Sequence, residues 1–435
     1  MTDRTDPTTR PTRPTQPGLT ARADRRLIRP HARSKRFVLV EVTAPPATQR
    51  RERLPVNLAF VLDRSGSMSG QKLELAKQTI VAALQRLDER DRFSVVVYDD
   101  VVDLVVESTP ASAEARRNAL ARLDAIDARG STNLFDGWLR GCEQVAAHLA
   151  ADGVNRTLLL TDGLANRGTT DPEVIATHAA ELRARGVSTT TFGVGTDFDE
   201  SLLQRIADAG AGHFYYVRDA VTIRDHVTSE VGETLEIVAR DVELEVVTAE
   251  DVAVEAISPH SVRPRGTRTL VSLGDLVAEQ VVDVVLRVTF PYGEIGRETG
   301  VIIGLRDRDG VFTTTADAKL AWTYADDRAN DAQPRDTDVD RTVARQFAAR
   351  ARQEAVGRNR AGEFDLARSI LAATAREIRG YAGSDPELRA LANDLETEGT
   401  VFAAPMAEAN RKRIHFASAN IARTRDAQGR SVRRG

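Results

Sequence analysis

Val56-Asn57-Leu58-Ala59-Phe60-Val61-Leu62-Asp63-Arg64-Ser65-Gly66-Ser67-Met68 decides how the rest of the chain is read. Apart from Asn57, the run 56–62 is apolar on both faces of a strand, which suits a parallel sheet covered on both sides. It ends on an acid and a Ser/Gly turn. A helical stretch follows at 72–87, with Leu73, Ala76, Ile80, Leu84 and Leu87 at spacings of three and four. Further out the same alternation recurs. Apolar runs at 93–97, 157–160, 187–194 and 213–217 alternate with helical stretches at 113–126, 133–149, 171–185 and 219–237. The third of these helices opens Asp171-Pro172, an N-cap followed by proline at the first helical position. Strand–helix alternation over 54–238 predicts an α/β domain with a doubly wound, mostly parallel sheet. Asp99-Asp100, between the runs 93–98 and 101–106, reads as a tight hairpin and adds an antiparallel edge.

On either side the grammar changes. Phe37-Val38-Leu39-Val40-Glu41-Val42 is a strand closed by Pro45-Pro46, with a linker running to Arg53. Between 239 and 325 helical periods vanish and strands are expected at 242–246, 282–290, 301–305 and 311–324, which predicts a β-sandwich. The strand at 37–42 has no partner before the α/β unit starts, so it is expected to pair with these later strands, making the α/β domain an insertion in the sandwich. Residues 326–338 read as a polar linker. From 339 to 422 apolar residues return at helical spacing and predict a C-terminal α-helical region. The Thr-, Pro- and Arg-rich residues 1–33 show no hydrophobic period and read as a disordered tail, and so does the basic stretch 423–435.

Composition limits the function classes. The 435 residues carry a net charge of -4, with no basic excess to suggest nucleic acid. The single cysteine, Cys142, allows neither an internal disulfide nor a multi-cysteine zinc site. The N-terminal residues lack an apolar run of the secretory kind, and no stretch approaches the ~20 apolar residues of a membrane helix. The expectation is a cytoplasmic protein that does not engage a membrane.

Three strand ends carry the chemistry. The first is Asp63-Arg64-Ser65-Gly66-Ser67, the second is Gly130-Ser131-Thr132-Asn133-Leu134 ahead of helix 133–149, and the third is Thr161-Asp162-Gly163. Open α/β sheets bind ligands beyond the carboxyl ends of their strands. Asp63, Ser65, Ser67, Thr132 and Asp162 would therefore meet at one rim as an all-oxygen donor set. Such a set selects a hard cation, Mg²⁺ or Mn²⁺ ahead of Ca²⁺.

With those residues in that order, the chain resembles the von Willebrand factor A family over about 54–238. The family's metal-ion-dependent adhesion site is written Asp-x-Ser-x-Ser, then a distant Thr and a distant Asp. The phrases at 62–68 and 160–166 resemble bacterial intracellular-type members, which carry a β unit after the A domain. The resemblance implies that Ser65 and Ser67 bind the metal through their hydroxyls and that Thr132 does so in the ligand-competent state. It also implies that Asp63 and Asp162 act largely through bound water, and that one position stays open for a partner's carboxylate. Carboxylates kept off the metal leave it enough positive charge to attract an external acid.

The expected function is a non-enzymatic, metal-dependent protein-interaction module whose partner offers an exposed Asp or Glu. An adaptor subunit of an AAA+ ATPase complex is the alternative. A phosphate-ester hydrolase would need a general base or second metal, and no His or Cys accompanies the motif. Gly66 to Lys72 fails as a phosphate loop, because Gln71 stands where lysine is required.

Overall fold

The computed structural model describes residues 18–47 and 53–433. Residues 1–17 of the expected tail and 48–52 of the expected linker lie outside the described residues.

The chain opens with Gly18–Ala23 (β1), Leu27–Ile28 (β2) and Lys35–Thr43 (β3). The α/β unit then runs Val56–Asp63 (β4), Gln71–Leu84 (α1), Arg92–Tyr98 (β5), Val102–Pro110 (β6), Ala113–Asp124 (α2), Leu134–Ala146 (α3) and Val154–Thr161 (β7). Pro172–Ala184 (α4), Ser188–Val194 (β8), Glu200–Ala209 (α5), Ala211–Val217 (β9) and Ile223–Leu235 (α6) complete it. Strands Ile237–Thr248 (β10), Ala253–Ala256 (β11), Ser261–Arg265 (β12), Arg268–Val277 (β13), Val281–Thr289 (β14), Glu298–Arg306 (β15) and Ala318–Tyr324 (β16) follow. Helices Asp327–Ala332 (α7), Thr337–Arg360 (α8), Phe364–Ala382 (α9), Pro386–Phe402 (α10) and Glu408–Ala422 (α11) close the chain.

The α/β sheet has strand order β6-β5-β4-β7-β8-β9, parallel except for the β5–β6 hairpin. Every residue of β4 and β7 is buried, as a sheet covered on both faces requires. The sandwich consists of a sheet β1-β3-β14-β11 and a sheet β12-β13-β10-β15-β16-β2. β3 lies between β1 and β14 and pairs with β14 from Lys35 opposite Thr289 to Thr43 opposite Val281. The chain thus leaves the sandwich after β3, builds the α/β unit, and re-enters at β10. Its core is the inward set Val38, Val40 and Val42 packed with Val284, Leu286, Leu244 and Trp322. The helices dock on both units. Val339 and Val343 of α8 cover Leu39 and Val285, and Phe416 of α11 meets Phe214 of β9 edge to face, ring centres 6.0 Å apart.

Four expectations from the sequence need correction. Residues 18–28 are not tail: β1 pairs antiparallel with β3, and β2 pairs in parallel with β16. The signal was a period of two in apolar residues, Leu19, Ala21 and Ala23, which pack against the sandwich core. Arg22 on the other side pairs with Glu41 and Asp336. Residues 326–338 are not a bare linker either. Within α7, buried Asn330 donates to the carbonyls of Ile28, Ala325 and Asp326, at 3.2, 2.9 and 3.0 Å, and so fastens β2.

The expected strand 311–324 is strand only from Ala318. Before it, the Asp307 carboxylate accepts from the amides of Asp309, Val311 and Phe312, folding a loop that inserts Phe312 into the core. Finally, the basic stretch 423–433 is packed. Arg425 and Ser431 are buried, and both bond to Glu233 of α6. An unpaired basic run reads as solvated in a sequence, but here its acids come from a helix about 190 residues earlier in the chain.

Candidate metal centre

Asp63 ends β4, and Thr161 ends the adjacent parallel strand β7, with Asp162 directly after it. The sheet alone therefore sets two carboxylates side by side at one rim. The third loop is delivered by α3, which packs across β4, β5 and β7. Its approach depends on two glycines. A Cβ on Gly137 would fall 2.4 Å from Tyr98 Cγ, and one on Gly141 would fall 2.2 Å from Val61 Cγ2. With only hydrogens there, the helix settles onto the strands and brings Thr132, just before its Asn133 cap, to the loop that follows β4.

Backbone bonds stitch the three loops together. Gly66 N donates to Gly130 O at 3.2 Å, and Arg129 N donates to Arg64 O at 2.8 Å. Asn166 N donates to Thr132 O at 3.3 Å, while the Asn166 side chain accepts from Thr132 N at 3.1 Å.

Within this frame the five expected residues come together. Asp63 Oδ1 accepts from Ser65 N at 2.8 Å, and its Oδ2 accepts from Thr161 Oγ1 at 2.6 Å. Ser67 Oγ donates to Asp162 Oδ1 at 2.7 Å and lies 3.1 Å from Ser65 Oγ. A methyl group on Gly163 would sit 3.0 Å from Thr132 Oγ1 and 3.7 Å from Ser67 Oγ, so these hydroxyls face one small space that glycine leaves open. Asp63 and Asp162 are fully buried and Ser65 and Thr132 nearly so, whereas Ser67 is exposed. The cluster opens to solvent on one side. Burial pushes the Asp63 carboxyl up to about 6, with a smaller contribution from the Asp162 charge. The hydrogen bonds from Thr161 and Ser65 oppose the rise. Buried acids gathered around hydroxyls, without His or Cys, fit a hard divalent cation.

Several residues at the site were not singled out from the sequence. Thr161 and Asn166 orient ligand groups, and Lys72, in the first turn of α1, reaches Asp162 Oδ2 at 2.5 Å. The hairpin expected at Asp99-Asp100 forms the antiparallel edge and is also a buttress. Asp99 is buried and accepts from Arg64 Nε at 2.9 Å and Arg129 Nε at 2.7 Å. Burial alone would raise its pKa, but the Arg129 and Val101 N–H bonds and both guanidinium charges outweigh burial and hold it below the usual range. Its backbone carbonyl also accepts from Asn133 N at 2.8 Å, so the hairpin fixes two of the three loops at this rim. No signal short of the folded pairing marks this role.

His213, Glu230 and Glu233 form a second buried cluster with closely spaced ligand atoms. All but His213 Nδ1 have protein partners. Glu230 accepts from Arg156 at 2.7 Å and Tyr215 at 2.8 Å, Glu233 from Arg425 and Ser431, and His213 Nε2 contacts Arg425. Burial and the Arg425 charge hold His213 well below its ordinary pKa. The cluster anchors the C-terminal segment to the sheet. Trp138 and Trp322 are buried, each donating its indole N–H, to Thr189 and to the Arg25 carbonyl. Among the described residues no helix is long and apolar enough to cross a membrane.

A model of the von Willebrand factor type A domain matches residues 57–229. The uncharacterized protein YfbK of Escherichia coli is 34% identical over 211 residues, which is 48% of this chain and 36% of YfbK. Inter-alpha-trypsin inhibitor heavy chain H4 of Homo sapiens is 31% identical over 160 residues, 35% of this chain and 17% of that protein. The chain thus spans well under half the length of these curated relatives. In fold it is similar to the von Willebrand factor type A structure from Catenulispora acidiphila. That match has a TM-score of 0.71 at 18% identity and covers 93% of this chain and 96% of the other. Residues 57–229 are therefore a von Willebrand factor type A domain, a class that generally serves as a metal-dependent protein-interaction module.

Proposed function

We propose that this domain binds Mg²⁺, or Mn²⁺ or Ca²⁺ in its place, through Asp63, Ser65, Ser67, Thr132 and Asp162, and that the bound ion captures an exposed Asp or Glu of a partner protein. The observation that carries the reading is the asymmetry of the cluster, with two buried carboxylates beneath hydroxyls and only Ser67 exposed. Each carboxylate is already hydrogen-bonded, Asp63 to Ser65 N–H and Thr161 O–H, Asp162 to Ser67 O–H. Acids used this way hold hydroxyls and water in place without cancelling the ion's charge, so the ion stays attractive to an external carboxylate. The reading is of a binding protein and not an enzyme.

Affinity capture on the full chain with Mg²⁺, read by mass spectrometry, tests it. A partner retained in Mg²⁺, released by EDTA and absent with Asp63→Ala is the expected result, and the same spectrum shows whether that partner is an AAA+ ATPase. Retention that ignores EDTA and the substitution would place binding elsewhere.

A further inference from the structure

Lys72 is the unexpected member of the site. Its Nζ lies 2.5 Å from Asp162 Oδ2 and 3.3 Å from the Ser67 carbonyl. Among the described residues it is the one side chain in an ion pair with a candidate ligand. Arg64, the neighbouring cation, is turned to Asp99 and Asp103. Helix stability does not account for the position, because a cation in the first turn opposes the helix dipole. Nor is the side chain locked in place. It is about one-third exposed, and its ammonium lies beside Gly195, where a Cβ would come 3.6 Å from Nζ. A buried carboxylate without a counter-charge is costly, and Asp162, fully buried, receives one here from the ammonium of a partly exposed side chain on α1.

We propose that Lys72 is a built-in counter-cation that takes the place of the metal's charge at Asp162 and is displaced when the metal binds. This rests on the metal reading above and adds to it. Metal binding becomes an exchange, in which the ion gains the Asp162 side of the cluster while the ammonium loses its partner and moves toward solvent. The chain thereby lowers its own metal affinity and gives the metal-free site a defined structure. The residue positions Asp162 and competes with the ion, with no catalytic role.

Calorimetric titration of the full chain with Mg²⁺ separates the possibilities. Lys72→Met keeps the aliphatic stem and removes the charge. It should bind Mg²⁺ at least about tenfold more tightly than wild type. Its metal-free melting temperature should fall, while the melting temperature in saturating Mg²⁺ stays close to that of wild type. Lys72→Arg should keep wild-type affinity. An unchanged or weaker affinity in Lys72→Met, in a wild type that does bind Mg²⁺, overturns the proposal and leaves the metal reading intact. Failure of both wild type and Lys72→Met to bind millimolar Mg²⁺ overturns both. Binding by Lys72→Met alone supports it.

If the variant fails to fold, wild-type protein with ¹³C-dimethylated lysines gives the answer by NMR. The Lys72 resonance, assigned by its absence from Lys72→Arg, should shift as Mg²⁺ is added. A resonance unmoved at saturation overturns the proposal.

Discussion

Thr161 Oγ1 donates to Asp63 Oδ2 at 2.6 Å, joining the ends of two neighbouring parallel strands across 98 residues of sequence. The bond fixes which way a fully buried carboxylate points, since the other oxygen is already held by Ser65 N. Thr161→Val keeps the shape and removes the donor. A hydrogen bond to a charged group contributes about 1.5–3 kcal/mol. Mg²⁺ affinity, measured by calorimetry, should therefore weaken by roughly tenfold or more. Unchanged affinity would mean the carboxylate is oriented without the hydroxyl.

Gly137 predicts a link from packing to the site. A Cβ there would fall 2.4 Å from the ring of Tyr98, which is fully buried. Gly137→Ala should lift α3 and cost about 1–3 kcal/mol in a denaturant melt. Because Thr132 rides at the head of α3, metal affinity should drop as well. A loss of stability with full metal affinity would show that the 130–133 loop is positioned by its own hydrogen bonds alone.

Lys412 of α11 is buried against Glu200 of α5 at 2.9 Å, with the Phe198 ring centre 4.1 Å from its ammonium. Removing one partner of a buried pair leaves an uncompensated charge, at a typical cost of about 3–5 kcal/mol. Arg360 also pairs with Glu200, so Lys412→Met should cost toward the lower end, about 3 kcal/mol. Protease protection of α11 should fall with it. A variant as stable as wild type would show that the helical region docks through its apolar contacts.

Acid should loosen the same interface. Burial pushes His415 down to about 4 from its ordinary value, and His415 packs against Phe214 of β9. A histidine held below its unfolded pKa makes the unfolded state bind more protons, so stability falls as pH drops from about 6.5 toward 4. At pH 5 this one residue accounts for about 2 kcal/mol. His415→Leu should flatten the wild-type decline in melting temperature between pH 7 and pH 5. Parallel pH profiles for the two proteins would assign the acid sensitivity to other groups.

The sequence exposed those features whose cause is local. The runs ending at Asp63 and Thr161 are buried on both faces, and such runs stand out without knowledge of the partner strand. The ligand residues follow because parallel strands must end at the same rim. β12, with Pro264 and two arginines between Ser261 and Arg265, has no apolar face to reveal it, since it is an exposed edge. The role of Asp99 depends on Arg129, 30 residues away, and that of Lys72 on Asp162, 90 residues away. Charge pairing at such separations has no period, so nothing in the linear pattern distinguishes these residues from solvated ones.

Thr132 supplies the last prediction, because it differs from Asp63 in how it is held. The Asp63 carboxylate is fixed on both oxygens. Thr132 is held through its backbone, by Asn166, and its hydroxyl only faces the space shared with Ser67. An ion can bind through the remaining donors with Thr132 near but not engaged. On the function proposed above, Thr132 would contribute most when a partner's carboxylate completes the shell, and a residue that distinguishes two states shifts them only by its differential interaction. Thr132→Ala should weaken Mg²⁺ binding by only a few-fold and partner binding in saturating Mg²⁺ by about 100-fold, roughly 3 kcal/mol. Asp63→Ala should abolish both. Two titrations decide the matter, one with metal alone and one with the captured partner. If Thr132→Ala weakens both steps equally, the hydroxyl is an ordinary ligand that does not distinguish the two states. If it changes neither, the partner's acid does not reach the metal through this side of the cluster.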